Sequence, residues 1–338
     1  MAEHKPSPAA QWRCADTGVD RLVLGSWAAF LALALWLLQP PAPARSPLSE
    51  TEAAAVLPEP VAAANEPDFY PWVRPVERDM APVVTQPWSP KRKPRTGGFL
   101  TRLTFPSEDP VFTASDHGNA NSYYGGDWLP ANVDARNGGA FLEVKRESHG
   151  GLPYTAAEMQ SGQTYHYGRY EVIMQPAPGS GLVTAFFTYT GPWFGDPHDE
   201  IDIEFLGTDT TKIHFNYFRK GKTNQPAVFD LPFDAAAAPR LYAFEWRPDG
   251  ITWFVDGVPY YATRPGDPGV PQTAGKVMFS TWTGKSSIQG WHGKPLFRDG
   301  AGAQFNCVSF TPLGHETPSC ADSYVPASGG SLKSVQAR

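Results

Sequence analysis

A short segment alternates strictly between acidic and apolar side chains, and this alternation constrains its fold more than any other feature of the chain. Residues 200–205 read EIDIEF. On a helix, Glu200 and Glu204 would share one face, but Asp202 would point elsewhere. On a β-strand, the three acids project from one face and the apolar side chains enter the core from the other. The alternation therefore predicts a strand that is buried on one face only.

Similar short apolar segments recur along residues 97–310. They are rich in Val, Phe, Tyr and Trp and are bounded by Gly, Pro and Asp, which is typical of antiparallel hairpins. The 338 residues include 32 Gly and 35 Pro, which favours many turns over long helices. We predict an all-β sandwich or jelly roll with strands over residues 170–174, 182–189, 213–218, 241–246, 251–255, 258–261 and 277–282.

Charge and composition exclude several classes of protein. The net charge is -6, from 28 basic and 34 acidic residues, so the basic face that nucleic-acid phosphates require is missing. An aromatic content of 13% is enough to build a core, which excludes a wholly disordered chain. Three cysteines are too few for a disulfide scaffold, and no Cys-x-x-Cys pair suggests zinc. We expect neither a nucleic-acid partner nor a cofactor.

The first third of the chain is predicted to lie outside the β domain. An uncharged apolar run over residues 22–38 follows several basic residues, which places the rest of the chain outside the cytoplasm. The run fits both a cleaved signal peptide, with Ala-Pro-Ala at residues 42–44, and an uncleaved membrane anchor. The predicted boundaries are a cytoplasmic region over 1–21, the apolar segment 22–38, a Pro/Ala-rich linker over 39–96, the β domain over 97–312 and a tail over 313–338.

Three acids on one face of a strand repel each other, so their presence calls for a functional explanation. A retaining glycoside hydrolase needs two carboxyl groups about 5–5.5 Å apart. The Cα atoms of Glu200 and Glu204 would lie about 13 Å apart on a strand, and side chains that lean together close most of this gap. We predict that Glu200 is the nucleophile and that Glu204 is the general acid and base. Asp202 would hydrogen-bond a neighbouring glutamate and tune the titration of the group.

Two structural alternatives to catalysis are a solvated acidic strand and a calcium site. Either could explain an isolated Glu-x-Asp-x-Glu sequence. The strict alternation, the all-β context and the many aromatic residues favour the catalytic interpretation instead.

The segment EIDIEFLG at residues 200–207 resembles the active-site strand of glycoside hydrolase family 16. Residues 181–218 are similar to those of bacterial lichenases, the endo-1,3-1,4-β-glucanases, and of secreted glycanases with which rhizobia trim their own exopolysaccharide. Laminarinase-type members carry an extra residue before the second glutamate, which this chain lacks. The resemblance implies a concanavalin-like β-jelly-roll of two antiparallel sheets. It also implies a retaining endo-β-glycanase that acts on a polysaccharide.

The resemblance further implies which side chains bind the sugar. They are Glu158, Gln160, Phe187, Tyr189, His198, Asn216, Phe218, Trp282 and Trp291. The chain departs from the lichenase pattern where Gln160 replaces arginine, His198 replaces tryptophan, Phe218 replaces tyrosine and Ser280 replaces asparagine.

These departures alter polar contacts to the sugar, so they affect specificity more than catalysis. We expect hydrolysis of a β-1,3-1,4-glucan or of a related bacterial exopolysaccharide. The alternatives are a transglycosylase that uses the same site and a non-catalytic jelly-roll protein that binds glycans.

Three further expectations concern the cysteines, calcium and assembly. Cys307 and Cys320 are 13 residues apart and lie outside the cytoplasm in the predicted topology, where a disulfide is stable. The resemblance implies a structural calcium bound by an aspartate in the last strand, but Asn306 stands at that position and argues against calcium. Nothing in the sequence demands an oligomer, so we expect a monomer.

Overall fold

The computed structural model describes residues 96–119, 122–223 and 226–326. Within these ranges the chain forms β-strands, one short α-helix, α1 (Gln289–His292), and single turns of 3-10 helix. The strands are β1 (Phe99–Thr101), β2 (Phe112–Ala114), β3 (Gly126–Trp128), β4 (Val133–Arg136), β5 (Gly139–Val144), β6 (Tyr154–Tyr165), β7 (Gly168–Gln175), β8 (Leu182–Thr190), β9 (Asp199–Leu206), β10 (Lys212–Arg219), β11 (Lys222–Thr223), β12 (Ala227–Asp230), β13 (Arg240–Arg247), β14 (Gly250–Val255), β15 (Val258–Ala262), β16 (Gly275–Thr283) and β17 (Ala301–Pro312). The 3-10 turns are Pro106–Glu108, Pro130–Asn132, Pro192–Phe194, Ala235–Ala237, Ser286–Ile288 and Ala321–Ser323.

The strands of the described residues form two sheets. The front sheet has the order β11-β10-β9-β8-β16-β6-β2, with β12 paired to β10 and β3 paired to β6. The back sheet has the order β15-β14-β13-β7-β17-β5-β4, with β1 paired to β17. The pairings are antiparallel apart from the short contact of β3 with β6. The predicted all-β jelly-roll sandwich of two antiparallel sheets is therefore confirmed.

The core lies between the sheets, and the alternation of β9 explains how it forms. Ile201, Ile203 and Phe205 are fully buried, so the apolar half of the strand faces the back sheet. Phe205 packs edge-on against Tyr242 of β13, with ring centroids 5.1 Å apart. The indole of Trp253 in β14 donates a hydrogen bond to the backbone oxygen of Asp202 at 3.0 Å. Burial of one face of β9 therefore leaves its acidic face on the outside of the sandwich.

The predicted N-terminal segments lie outside the described residues. These are the cytoplasmic region 1–21, the apolar segment 22–38 and the Pro/Ala-rich linker up to residue 95. Among residues 96–119, 122–223 and 226–326, no helix combines the length and the apolar character needed to span a membrane.

The described part of the predicted tail packs on the back sheet. Cys320 forms a disulfide with Cys307 of β17, as the sequence suggested, with a Cα–Cα distance of 5.8 Å. The hydroxyl of Tyr324 donates to Asp256 Oδ1 at 2.7 Å. The backbone amide of Ala321 donates to Glu171 Oε2 at 3.0 Å. Residues 313–326 are therefore held to the domain by covalent and polar contacts.

Candidate active site

Strand β9 carries three acids, and its two neighbours place a set of side chains beside them. Residues that pair across neighbouring strands lie on the same face of a sheet. The pairs place the predicted sugar-binding residues of β8 and β10 next to the acids: Glu200 lies between Tyr189 and Phe218, Asp202 between Phe187 and Asn216, and Glu204 between Ala185 and His214.

The same face continues across β16 and β6. Met278 of β16 pairs with Phe187 on one side and with Gln160 on the other, and Ser280 pairs with Glu158. Trp282 lies two residues beyond Ser280 on the same strand, and its ring centroid is 5.9 Å from that of Trp291 in α1. The structure thus brings the predicted substrate-binding residues of four strands and of α1 to the face of the front sheet that carries the acids of β9.

Glu200 is held by the histidine that precedes β9. The Nε2 atom of His198 donates to Glu200 Oε2 at 2.5 Å. The imidazole stacks on Phe218, with centroids 4.9 Å apart and planes at 16°, and meets Tyr189 at 5.3 Å. Burial alone would lower the pKa of His198, but the hydrogen bond and charge of Glu200 raise it overall. The imidazole of His198 therefore supplies a hydrogen-bond donor to the Glu200 side chain.

Glu204 and Asp202 are placed where their neutral forms are favoured. Burial, followed by the charge of Glu200, raises the pKa of Glu204 to about 8. Burial also raises the pKa of Asp202 well above its usual range, and the charges of Glu200 and Glu204 and a hydrogen bond to Glu200 act in the same direction. His214, the cross-strand neighbour of Glu204, provides no compensating charge because burial lowers its pKa to about 4.

The two glutamates therefore have different environments, which suits them to different catalytic roles. Glu200 has a hydrogen-bond donor on its carboxylate, whereas Glu204 retains its proton at neutral pH. Both side chains are only partly buried, so a ligand on this face can reach them. One carboxylate and one carboxylic acid on the same strand face can act as a nucleophile and a proton donor.

Glu158 and Gln160 belong to a chain of hydrogen bonds on β6. Lys276 Nζ donates to Gln160 Oε1 at 2.5 Å, and Gln160 Nε2 donates to Ser115 Oγ at 2.8 Å. The Ser115 hydroxyl then donates to Glu158 Oε1 at 2.7 Å. Burial raises the pKa of Glu158 to about 7, against the opposing effects of Ser115 and the Lys276 charge. Both ends of the Gln160 amide are thus engaged within the protein.

The buried carboxyl of Glu158 gives a testable effect on stability. Glu158 is 5% exposed, so the folded protein keeps a proton that the unfolded chain releases above its ordinary pKa of 4.5. The free energy of unfolding should therefore fall as the pH rises from 4.5 to about 7. Glu158→Gln removes this loss and should gain on the order of 3 kcal/mol relative to the wild type between pH 4.5 and 7.5.

Urea unfolding at a series of pH values measures the effect of Glu158→Gln. Glu147→Gln is the matched control, because Glu147 is exposed and should show the wild-type pH dependence. Parallel pH curves for Glu158→Gln and the wild type would contradict the raised pKa of Glu158.

Several residues of this face were not predicted from the sequence. Ser115 and Lys276 join the chain of hydrogen bonds to Glu158. Tyr123 and Tyr124 contact Trp282, with centroid distances of 5.8 and 4.8 Å. Burial, then the charge of Glu200, raises the pKa of Tyr123. Lys276 and Trp282 are separated by an even number of residues on β16, so their side chains lie on the same face of the sheet. This spacing is the signal in the sequence that points to Lys276.

The family resemblance implies an aspartate at position 306 in relatives that bind calcium, and this chain has Asn306 there. Its Nδ2 atom donates to the backbone oxygen of Asn137 at 3.1 Å, so the side chain presents a donor and no negative charge on that side. Within residues 96–119, 122–223 and 226–326, no group of three or more His, Cys, Asp or Glu side chains is arranged to hold a metal. The neutral amide of Asn306 brings less negative charge to such a site than an aspartate carboxylate would, and the affinity of calcium sites depends on the charge of their ligands.

The family model described as glycosyl hydrolases family 16 matches residues 120–295, which is more than half of the chain. The chain belongs to this family. The family 16 match includes β9 with its three acids and the neighbouring strands β8, β10 and β16. The resemblance noted in residues 200–207 is therefore confirmed, and the chain is a glycoside hydrolase of the lichenase-like type.

Comparisons with individual proteins agree with this assignment. The chain is 42% identical over 194 residues to a beta-glucanase of Brevibacillus brevis, covering 55% of this chain and 71% of the relative. It is 46% identical over 164 residues to a beta-glucanase of Bacillus subtilis, covering 47% and 64%. The solved structure of Bacillus licheniformis beta-glucanase matches with 37% identity and a TM-score of 0.59, covering 64% of this chain and 99% of that chain.

Proposed function

We propose that this protein is a retaining endo-β-glycanase. In this proposal it hydrolyses internal β-glucosidic bonds of a β-1,3-1,4-glucan or of a related bacterial exopolysaccharide. Glu200 is the nucleophile, Glu204 is the general acid and base, and Asp202 positions and tunes the pair. The proposal adds the mechanism, the polymer and the residue roles to the family assignment.

The different surroundings of Glu200 and Glu204 carry this proposal. His198 donates a hydrogen bond to Glu200, whereas burial and the charge of Glu200 keep Glu204 protonated. A retaining mechanism needs these two protonation states in one active site. Asp202 lies between the two glutamates on the same face and is itself held neutral, so it can donate a proton to a hydrogen bond with Glu200.

In the first step, Glu200 attacks the anomeric carbon of the bound sugar and displaces the rest of the polymer. Glu204 donates its proton to the departing glycosidic oxygen, so the leaving sugar departs as a neutral alcohol. The products are a glycosyl ester on Glu200 and an ionised Glu204. In the second step, Glu204 removes a proton from water, and the resulting oxygen attacks the anomeric carbon. The ester breaks, both glutamates return to their starting states and the anomeric configuration is retained.

The width of the face supports action within a polymer. The proposed sugar-binding side chains extend from β6 through β16, β8 and β9 to β10, which is five adjacent strands. Neighbouring strands lie about 4.8 Å apart, so this set spans roughly 19 Å, enough for several consecutive sugar units. A polymer that crosses the strands in this way can be cut at internal bonds.

The contacts of Gln160 favour a substrate that differs from plain mixed-linkage glucan. Both ends of this amide are bonded within the protein, to Lys276 and to Ser115. The lichenase pattern has an arginine at this position. A sugar hydroxyl that binds this arginine would meet the amide of Gln160 here. Loss of such a contact changes specificity because buried polar groups on the sugar then lack a partner.

We also propose an extracytoplasmic location, with residues 22–38 as a signal peptide or a membrane anchor. The disulfide between Cys307 and Cys320 supports this location, because disulfides persist mainly in oxidising compartments. A polysaccharide outside the cell is the substrate that such a location makes accessible.

Incubation of the purified protein with a panel of polymers tests the proposed activity. The panel contains mixed-linkage β-1,3-1,4-glucan, linear β-1,3-glucan and a bacterial exopolysaccharide. Endo-hydrolysis should shorten at least one polymer rapidly, and early NMR spectra should show new reducing ends in the β configuration. New α ends would contradict retention, and no shortening of any polymer would contradict the glycanase proposal. Lengthened acceptor oligosaccharides would instead identify a transglycosylase.

A further inference from the structure

Trp193 is exposed although it lies beside the candidate active site. It is 63% exposed, and it is the middle residue of the 3-10 turn Pro192–Phe194. This turn lies in the connection between β8 and β9, the strands that carry Tyr189 and Glu200. Of the tryptophans that the structure describes, it is the only one among the large exposed apolar residues. An exposed indole beside a site offers a flat apolar face to a ligand.

The turn that carries Trp193 is fixed by short-range hydrogen bonds. The amides of Phe194 and Asp196 both donate to the backbone oxygen of Gly191, at 2.8 and 3.1 Å. The hydroxyl of Thr190 donates to Asp196 Oδ2 at 3.0 Å. A Cβ atom at Gly191 would lie 2.4 Å from the Tyr189 hydroxyl oxygen, so the turn lies directly on that side chain. Trp193 is therefore presented from an ordered position.

The neighbouring residue connects this turn to the face that carries the acids. The ring of Phe194 meets the ring of Tyr189 nearly edge-on, with centroids 6.1 Å apart and planes at 69°. Lys276 Nζ lies 5.3 Å from the centre of the same Phe194 ring. Tyr189 and Lys276 pair across β8 and β16, and Tyr189 also pairs with Glu200. The aromatic surface thus continues from the proposed nucleophile onto the turn.

We propose that Trp193 and Phe194 form a sugar-binding platform that contacts a pyranose unit of the bound polymer. This inference rests on the proposed glycanase function. Aromatic rings suit this ligand because a pyranose presents a flat face of C–H groups while its hydroxyls stay in water. The platform lies beyond the end of β8 and before the start of β9, outside the row formed by the three acids. It therefore contributes to polymer binding and takes no part in bond cleavage.

Kinetics of Trp193→Ala test the platform. The polymer is the one that the wild type cleaves fastest in the panel above. We expect the KM of the variant for this polymer to rise about three- to tenfold, the range expected for one aromatic contact, with kcat unchanged. Trp193→Phe keeps a ring and should recover part of this loss. Phe105→Ala is the control, because Phe105 is 69% exposed and precedes β2 at the far edge of the front sheet.

A binding measurement separates the platform from catalysis. Glu200→Gln protein is mixed with the same polymer and treated with N-bromosuccinimide, which oxidises exposed indoles, and the peptide that contains Trp193 is quantified by mass spectrometry. The polymer should protect Trp193 from oxidation. Unchanged KM for Trp193→Ala together with unprotected Trp193 would overturn the platform while leaving the glycanase proposal intact. If the wild type cleaves no polymer, the glycanase proposal fails and the platform proposal fails with it.

Discussion

Replacement of Glu200 by glutamine is expected to lower kcat on the cleaved polymer by about 10³-fold or more, because the amide cannot form the glycosyl ester. The fold should persist, since Glu200 is only partly buried and lies on the outer face of β9. Initial rates, with circular dichroism to monitor folding, measure the effect. Glu245→Gln on β13 of the back sheet is the matched control and should retain wild-type activity.

Chemical rescue distinguishes loss of the nucleophile from a general loss of the site. Glu200→Ala leaves space for a small anion, and added azide can then attack the anomeric carbon from the vacated side. With an aryl glycoside of the cleaved oligosaccharide, this reaction releases the phenol and should form the α-glycosyl azide. Formation of the β-azide would place the missing nucleophile elsewhere. Wild-type rates in Glu200→Gln would remove Glu200 from the mechanism altogether.

Replacement of Glu204 by glutamine should lower kcat/KM on the polymer by about 10²–10⁴-fold, because the leaving sugar then departs without a proton. The loss should be much smaller for a 2,4-dinitrophenyl glycoside, since this leaving group is stable as an anion. A comparison of the two substrates therefore reports on proton donation. Equal losses on both would contradict the assignment of Glu204 as the general acid.

The pH dependence of the wild type tests the same residue. Glu204 must be protonated for the first step, and its pKa is raised to about 8 by burial and by the charge of Glu200. The kcat/KM of the wild type for the polymer should therefore fall as the pH rises through about 8. The residual activity of Glu204→Gln should lack this alkaline decline, because glutamine does not titrate. A decline at the same pH in the variant would assign the titration to another group.

The acidic strand could be predicted because its information is local. The period of two in residues 200–205 fixes which side chains share a face, and the burial of Ile201 and Ile203 in the structure follows from the same alternation. The sandwich was predictable for a similar reason, since short apolar segments bounded by Gly and Pro require antiparallel packing.

The surroundings of the acids depend on contacts between distant segments and could not be predicted. Ser115 reaches Glu158 because the segment that follows β2 lies beside β6, 43 residues later in the chain. Tyr123 and Tyr124 contact Trp282 and lie in the connection between β2 and β3. The sequence pattern does not specify the path of this connection. The hydrogen bond from His198 to Glu200 depends on a side-chain rotamer, which periodicity does not determine.

Covalent trapping tests the assignment of the nucleophile most directly. A 2-deoxy-2-fluoro β-glycoside with a good leaving group should form the ester quickly and release it slowly, because the fluorine destabilises both transition states. Peptide mass spectrometry of the trapped protein should locate the sugar on Glu200. A label on Asp202 or Glu204, or turnover with inversion and no label, would contradict the mechanism.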